Sequence, residues 1–476
     1  MNSLLKVSIV KNLSGNLGLY IVQLLSLLLF ARIFTPDEFG ILAKFQVIIV
    51  FFQIMSDLGI GPAIVNAKSI NKKERDGLFT FSFFIALFFS ILYISLSSVL
   101  SELINLDLSD YSIYILIVII MSTLTILPMS SLKKDLKFIT ISITSIFCEL
   151  IAIVSVLFFY KSGLGVLSLI LKPIIFSIFR FLALYGLSNK TSIGMAKFGR
   201  NFSFVKKIVS FSFFQFLSSF LNYVSSNVDK LFIANYFSSA SLGMYDRASQ
   251  VIRYPLLLTS FSITPALQPV LVRDKLDPKS IVLSFFNITS TLTKFSLLIT
   301  IFIYFNASDI VYVLLGSQWA DLIPLVELFC LMIPFKVLLS ITGAFFQVYE
   351  KTNIMFFSSI LGLILISSLT YIGVRSGELI FLAKLLVLSS ILNFIQTFFI
   401  LMIFVMKVNV FDFLSNVFKG LSLPIVSSIF YVLLSQYWGT LGFEFNSFLN
   451  VIINISMATS CLFFGLVVIK KCNINI

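Results

Sequence analysis

The sequence predicts an all-α polytopic membrane protein with about fourteen transmembrane helices, arranged as two six-helix lobes and two further C-terminal helices. Three observations support this fold class: the composition, the recurrence of long uncharged segments, and an internal repeat. Of 476 residues, 58% are hydrophobic and 12% are charged, against roughly 25% charged in soluble proteins. The mean hydropathy of +1.05 is typical of chains that cross a bilayer many times.

Apolar segments of about 20 or more residues, the length that a spanning helix needs, recur along the whole chain. The predicted helices are 9–32, 40–65, 78–100, 112–132, 138–160, 164–186, 208–237, 242–272, 281–305, 322–346, 354–374, 379–405, 420–436 and 448–469. The loops between them are short, so no extramembrane domain is expected.

An internal repeat relates the two halves. An offset of 203 residues aligns Tyr20 with Tyr223 and Gly40 with Gly243, and it holds over some 45 residues. Six helices per repeat is an even number, so the two repeats are expected to be parallel, related by an axis along the membrane normal. The predicted domains are an N-lobe at 1–187, a basic cytoplasmic linker at 188–207, a C-lobe at 208–405, and helices 13 and 14 with a cytoplasmic tail at 406–476.

Charge predicts the orientation and excludes several chemistries. Lys and Arg are concentrated in alternate loops, which by the positive-inside rule places both termini in the cytoplasm. This bias accounts for most of the net charge of +13, so no nucleic-acid partner is implied. The chain has no histidine and four scattered cysteines, so neither a catalytic site, a metal site nor a cofactor is predicted.

Polar residues follow one face of the predicted seventh and eighth helices, at spacings of three or four. Such a stripe either lines a hydrated cavity or bridges packed helices through hydrogen bonds. Basic residues outnumber acidic ones within the predicted spans, which suits an anionic substrate such as a diphosphate. The candidate substrate-binding residues are Lys44, Asn222, Ser226, Arg247, Gln250 and Arg253.

Two acidic residues are candidates for other roles. Asp229 either binds a coupling proton or Na⁺, or forms an ion pair with a neighbour such as Lys230. Asp57 directly precedes a Leu-Gly-Ile-Gly-Pro sequence near the end of the second helix, which favours a helix-end or gating role.

Several short segments together resemble the polysaccharide flippases of the multidrug/oligosaccharidyl-lipid/polysaccharide exporter superfamily. The segments are Ala31–Gly40, Asp57–Ile60, Gly163–Leu169, Asp229–Ile233, Leu242–Tyr245 and Leu315–Trp319. Leu167 stands where the family often has Trp. The resemblance spans roughly residues 5–400 and implies a bilobed fold of fourteen helices.

The resemblance also implies a function. It implies transfer of undecaprenyl-diphosphate-linked oligosaccharide across the bacterial inner membrane, for O-antigen, capsule or exopolysaccharide, alongside a polymerase and glycosyltransferases. A multidrug or peptidoglycan-precursor exporter of the same superfamily is the alternative, although an exporter of organic cations should have an acid-rich cavity. A membrane-embedded polymerase or glycosyltransferase is disfavoured, because such enzymes need a large outer loop that this chain lacks.

Overall fold

The computed structural model describes residues 3–67, 69–273, 278–349, 351–440, 449–450, 452–458 and 460–461. Every regular element in these ranges is helical, which confirms the predicted all-α class. The predicted cytoplasmic tail after Ile469 lies outside the described residues.

Sixteen α-helices with defined bounds lie in the described ranges, eight in each half of the chain, and the described residues between 449 and 461 are helical as well. The first eight are α1 (Ser3–Ala31), α2 (Pro36–Asp57), α3 (Ile60–Asn66), α4 (Lys72–Ile104), α5 (Ser112–Lys134), α6 (Phe138–Lys161), α7 (Val166–Ser188) and α8 (Ser203–Tyr236). The others are α9 (Ser239–Arg273), α10 (Pro278–Phe305), α11 (Ala307–Leu314), α12 (Ile323–Cys330), α13 (Ile333–Val348), α14 (Thr352–Arg375), α15 (Leu379–Ile400) and α16 (Val410–Thr440).

Eight helical segments in the described ranges are long and apolar enough to cross a membrane, or nine if a bent pair counts as one span. As far as the structure describes them, the predicted helices coincide with helical backbone, but most of the last one, 448–469, lies outside the described residues, and fourteen membrane crossings stay a prediction. The bent pair corrects the single helix predicted over 322–346. A 3₁₀ segment at Ser317–Leu322 and α12 precede a 49° bend, beyond which α13 starts with Pro334 in its first turn, where a missing N–H costs nothing.

The chain forms two compact units, residues 1–243 and 244–476. In the first, α5 packs against α4 and α7, and α6 packs against α7 and α1. Its core is rich in aromatic side chains such as Phe34, Phe45 and Phe52, which are fully buried. The predicted lobes at 1–187 and 208–405 stay a prediction.

The second unit has an aromatic core of its own. Phe285 of α10 contacts Phe345, Phe398 and Phe413, with ring centroids 4.8–5.9 Å apart. Other large apolar side chains point outward, among them Phe295, at 58% exposure. Outward-facing apolar side chains of this kind are expected where a helix contacts lipid tails.

The start of α2 is specified locally. The side chain of Thr35 accepts a hydrogen bond from the backbone N–H of Glu38, whose carboxylate accepts one from the N–H of Thr35 at 2.8 Å. This capping box, with Pro36 at the first helical position, starts the helix at a fixed residue. The helix α9 starts at Ser239, 203 residues after Pro36, as the internal repeat requires.

Candidate functional site

The predicted gating residue Asp57 lies at a break between α2 and α3. Leu58 and Gly59 both have left-handed backbone angles, with φ of 44° and 71°, so the helical hydrogen bonding stops there. The freed N–H groups of Gly59 and Gly61 donate hydrogen bonds to the Asp57 carboxylate, which also interacts with the charge of Lys133. The gating role itself stays a prediction.

A cationic cluster lies where α5 meets α7. The Arg180 guanidinium donates to the sulfur of Met129 at 3.5 Å and lies 5.4 Å from the ring centre of Phe176. Its Nε–H is buried with no hydrogen-bond partner among the described residues. Lys133 is one turn after Met129, solvent-accessible, and close enough to Arg180 for their charges to interact.

A second charged group in the same unit is internally balanced. Lys172 of α7 forms an ion pair of 2.8 Å with Glu149 of α6, which is buried. The same ammonium group donates to the hydroxyl of Ser26 at 2.8 Å and lies 5.3 Å from the ring centre of Phe30. Side chains from α1, α6 and α7 thus meet at Lys172. Because Glu149 neutralises its positive charge, little net charge is left to attract a ligand.

The candidate Lys44 is only 3% exposed. Its ammonium group donates to the carbonyl oxygen of Asn105 at 3.0 Å, and the Asn105 amide donates to the carbonyl oxygen of Asn235 at 2.6 Å. Asn235 in turn donates to the carbonyl oxygen of Leu103 at 2.8 Å. Lys44 therefore takes part in a hydrogen-bond network with the ends of α4 and α8.

Two other candidates meet in the second unit. Arg247 and Asp246 are both buried and form an ion pair of 2.7 Å. The amide of Gln250 donates to the same carboxylate at 3.1 Å. The structure thus brings Arg247 and Gln250 together around Asp246, which was not a candidate, while Arg253 is exposed one and a half turns further along α9.

The remaining candidates lie on α8. Ser226 is exposed, and Asp229 is half-buried with its carboxylate accepting the N–H of Lys230 at 2.8 Å. The side chain of Asn222 lies outside the described residues. Within the described ranges, no three His, Cys, Asp or Glu side chains lie together in a way that would hold a metal ion.

Arg180 and Lys133 were not among the candidate residues predicted from the sequence. Arg180 was visible as a charge within a predicted span, and Phe176 and Arg180 are four residues apart on α7, as Met129 and Lys133 are on α5. A spacing of four places both members of each pair on one face of their helix, and this was the only sign in the sequence that they act together. What it could not reveal is that these two helices pack against each other and that, among the described residues, no carboxylate forms an ion pair with Arg180.

Comparison with known proteins gives the family. Residues 29–324, more than half of the chain, match the model of a family described as polysaccharide biosynthesis protein. The chain belongs to this family. The resemblance noted from short segments is therefore confirmed.

Curated relatives of this polysaccharide biosynthesis protein are similar over most of their length. The teichuronic acid biosynthesis protein TuaB of Bacillus subtilis (strain 168) is 22% identical over 459 residues, covering 94% of this chain and 92% of TuaB. The lipopolysaccharide biosynthesis protein WzxC of Escherichia coli (strain K12) is 22% identical over 399 residues, covering 81% and 77%. An uncharacterized membrane protein in the cps region of Klebsiella pneumoniae is 23% identical over 420 residues, covering 81% and 84%.

Solved structures show the same fold. The lipid II flippase MurJ in its inward closed conformation superposes with a TM-score of 0.72 at 16% identity, covering 97% of this chain and 99% of MurJ. An inward-facing multidrug resistance MATE family transporter of the MOP superfamily gives a TM-score of 0.66 at 13% identity, covering 80% and 93%. At these identities the likeness concerns the fold.

Proposed function

We propose that this protein moves undecaprenyl-diphosphate-linked oligosaccharide repeat units across the bacterial inner membrane by alternating access. The product would serve a surface polysaccharide such as O-antigen, capsule or exopolysaccharide. The observation that carries the proposal is the family match over residues 29–324. The names of TuaB and WzxC, which refer to teichuronic acid and lipopolysaccharide biosynthesis, support the same substrate class.

The physical requirement for such a protein is a polar path through hydrocarbon. A sugar hydroxyl that enters lipid without a hydrogen-bond partner costs several kcal/mol, so an oligosaccharide does not cross unaided. A transporter replaces water with polar side chains, supplies cations for the diphosphate, and leaves the polyprenyl tail in the bilayer. In this assignment the protein acts as a transporter, with both termini in the cytoplasm.

Arg180 is the residue best suited to contact the diphosphate. Its partners are a thioether and an aromatic ring, both weak, and its Nε–H has no acceptor among the described residues. A phosphate oxygen would supply that acceptor and would relieve the repulsion between Arg180 and Lys133. By contrast, a ligand at Arg247 has to compete with Asp246.

Chromosomal deletion tests the function. The lipid-linked repeat unit should accumulate on the cytoplasmic face of the inner membrane, and surface polysaccharide should be lost. Accumulation on the periplasmic face would refute the proposal, because translocation would then proceed without this protein. It would instead favour a polymerase function.

Complementation of the deletion strain tests the assignment of Arg180. Hydrogen bonds to charged groups contribute about 1.5–3 kcal/mol, so Arg180→Gln should lower export about ten- to a hundredfold at equal protein level. The matched control is Lys161→Gln, which removes one positive charge at the exposed end of α6 and should leave export unchanged. Full export with Arg180→Gln would reject the diphosphate contact without affecting the transport assignment.

A further inference from the structure

The segment between α7 and α8, residues 189–202, is fixed along the first turns of α4, and we call it the strap. Its attachments are hydrogen bonds to and from α4 side chains: Arg75 to the Ile193 carbonyl at 3.0 Å, the Lys197 N–H to Asp76 at 2.9 Å, and the Gly199 N–H to Thr80 at 2.8 Å. Gly77 allows the closest approach, because a Cβ there would collide with the carbonyl oxygen of Asn201. The strap is therefore a defined part of the first unit.

A recess of about 730 Å³ lies between the strap, the start of α4 and the start of α8. Three basic residues line it, one from each of these elements: Lys73, Arg200 and Lys206. All three are exposed, and none of their charged side-chain groups forms a hydrogen bond or ion pair with another residue that the structure describes. The recess therefore presents three uncompensated positive charges from separate elements.

The acidic residues nearby do not cancel this charge. Asp76 also lines the recess, but it already forms an ion pair of 2.7 Å with Arg75 and accepts the N–H of Lys197. Glu74 is paired in the same way with Lys207 at 2.9 Å. Like charges that converge without a counter-ion favour binding of an anion, and phosphate oxygens are the strongest common acceptors for Arg and Lys.

The apolar side chains beside the recess indicate which kind of molecule would supply a phosphate group to it. Phe198 of the strap is 66% exposed, and its ring contacts Phe79 and Phe83 of the membrane-spanning helix α4 at 5.4 and 5.5 Å between centroids. Because α4 is long and apolar enough to cross a membrane, an exposed ring packed on it is expected to lie against lipid. Arg200 follows Phe198 by two residues, so the basic recess is expected near the headgroups at that end of α4.

We propose that this recess binds the phosphate of an anionic phospholipid headgroup, and so ties the strap and the start of α8 to the membrane surface. The proposed site is separate from the transported substrate and does not depend on its identity. A free phosphate or diphosphate is the other source of the same chemistry, and the experiment separates the two.

The test uses the purified full-length protein in a neutral detergent. Phosphatidylglycerol, phosphatidylcholine and inorganic pyrophosphate are each titrated while the melting midpoint is followed, which gives an apparent affinity for each. Phosphatidylglycerol should raise the midpoint and phosphatidylcholine should not. Each basic residue near a membrane surface strengthens binding to anionic lipid by electrostatic attraction. Loss of two of them in Arg200→Gln with Lys206→Gln should weaken the apparent phosphatidylglycerol affinity about ten- to thirtyfold.

The matched control is Lys190→Gln with Lys197→Gln, which removes the same charge from exposed side chains of the strap that do not line the recess. This pair should keep the affinity of the unsubstituted protein. Lys73→Gln provides a third variant if Arg200→Gln with Lys206→Gln, which we call the recess pair, does not fold. It should weaken phosphatidylglycerol binding severalfold.

Three results would overturn the proposal. Equal weakening by the recess pair and the control pair would mean that binding follows total charge. Absence of any phosphatidylglycerol effect would mean that the recess holds no headgroup. Stabilisation by pyrophosphate alone, lost in the recess pair, would reject the lipid and assign a soluble phosphate.

Discussion

The first turns of α2 and α9 touch through two glycines that the internal repeat makes equivalent. A Cβ on Gly40 would collide with the carbonyl oxygen of Ser239 and lie 2.9 Å from its Cα. A Cβ on Gly243 would collide in the same way with the carbonyl oxygen of Pro36. Because Pro36 and Ser239 are themselves 203 residues apart, each glycine meets the residue that the repeat makes equivalent to the one met by the other glycine.

Alanine at either glycine should therefore be costly. The helices would have to separate by about 1.5 Å before the new Cβ reached ordinary van der Waals distance from the facing carbonyl oxygen. Both obstacles are backbone atoms, which cannot change rotamer, so the cost should lie near 3 kcal/mol, at the upper end of typical overpacking. With the unfolding entropy of a chain this long, Gly40→Ala or Gly243→Ala should lower the melting midpoint by about 3 °C.

The control for this prediction is Gly186→Ala in α7, where a Cβ would meet nothing within 4 Å. Alanine favours a helix over glycine by about 1 kcal/mol, so the midpoint should stay or rise by about 1 °C. The double variant Gly40→Ala with Gly243→Ala should lose less than the sum, because one separation of the helices makes room for both Cβ atoms. Melting of either single variant at the temperature of the unsubstituted protein would refute the close contact.

Three further predictions concern other parts of the structure. Glu149→Gln should destabilise by about 3 kcal/mol because it leaves Lys172 unpaired among helices, and adding Lys172→Met should recover most of the loss; a double variant as unstable as the single one would contradict this. Gly77→Ala should push the strap away from α4, so that limited trypsin digestion cuts after Arg200 at least about tenfold faster, and an unchanged rate would show that the strap is not held there. In α11, burial raises the pKa of Asp309, so the folded state holds the carboxyl proton more tightly than the unfolded chain does. The free energy of unfolding therefore falls as the pH rises from the ordinary carboxyl pKa through the raised one. Asp309→Asn should accordingly raise the melting midpoint at pH 7 and not at pH 3, and a rise of equal size at both would exclude titration as the cause.

The sequence predicted the helices well because their signal is local. Apolar length and helix-starting residues such as Thr35 and Pro36 act within one element, and each predicted helix coincides with helical backbone in the described residues. The errors lie where neighbouring residues do not decide the geometry. The bend after α12 is one of them, because an apolar composition continues through it and hides the change of direction.

The candidate site was harder to predict because the role of a charge depends on its partner. A sequence records that Arg180, Lys172 and Arg247 lie in apolar surroundings, but it does not record which of them has a carboxylate within reach. Residues adjacent in a helix usually point in different directions, so the pairing of Arg247 with Asp246 could not be assumed. The partner of Lys172 lies on another helix, 23 positions earlier in the chain.

The pairing of these charges has a consequence for transport. An anionic ligand that binds at Lys172 or Arg247 has to displace a carboxylate from a short ion pair and leave it unpaired, which opposes binding. At Arg180 the ligand replaces only a thioether sulfur and the face of an aromatic ring. A transporter must release its substrate as well as bind it. A guanidinium in contact with weak, polarisable neighbours suits both steps. A phosphate displaces these contacts at little cost, and they form again when the phosphate leaves.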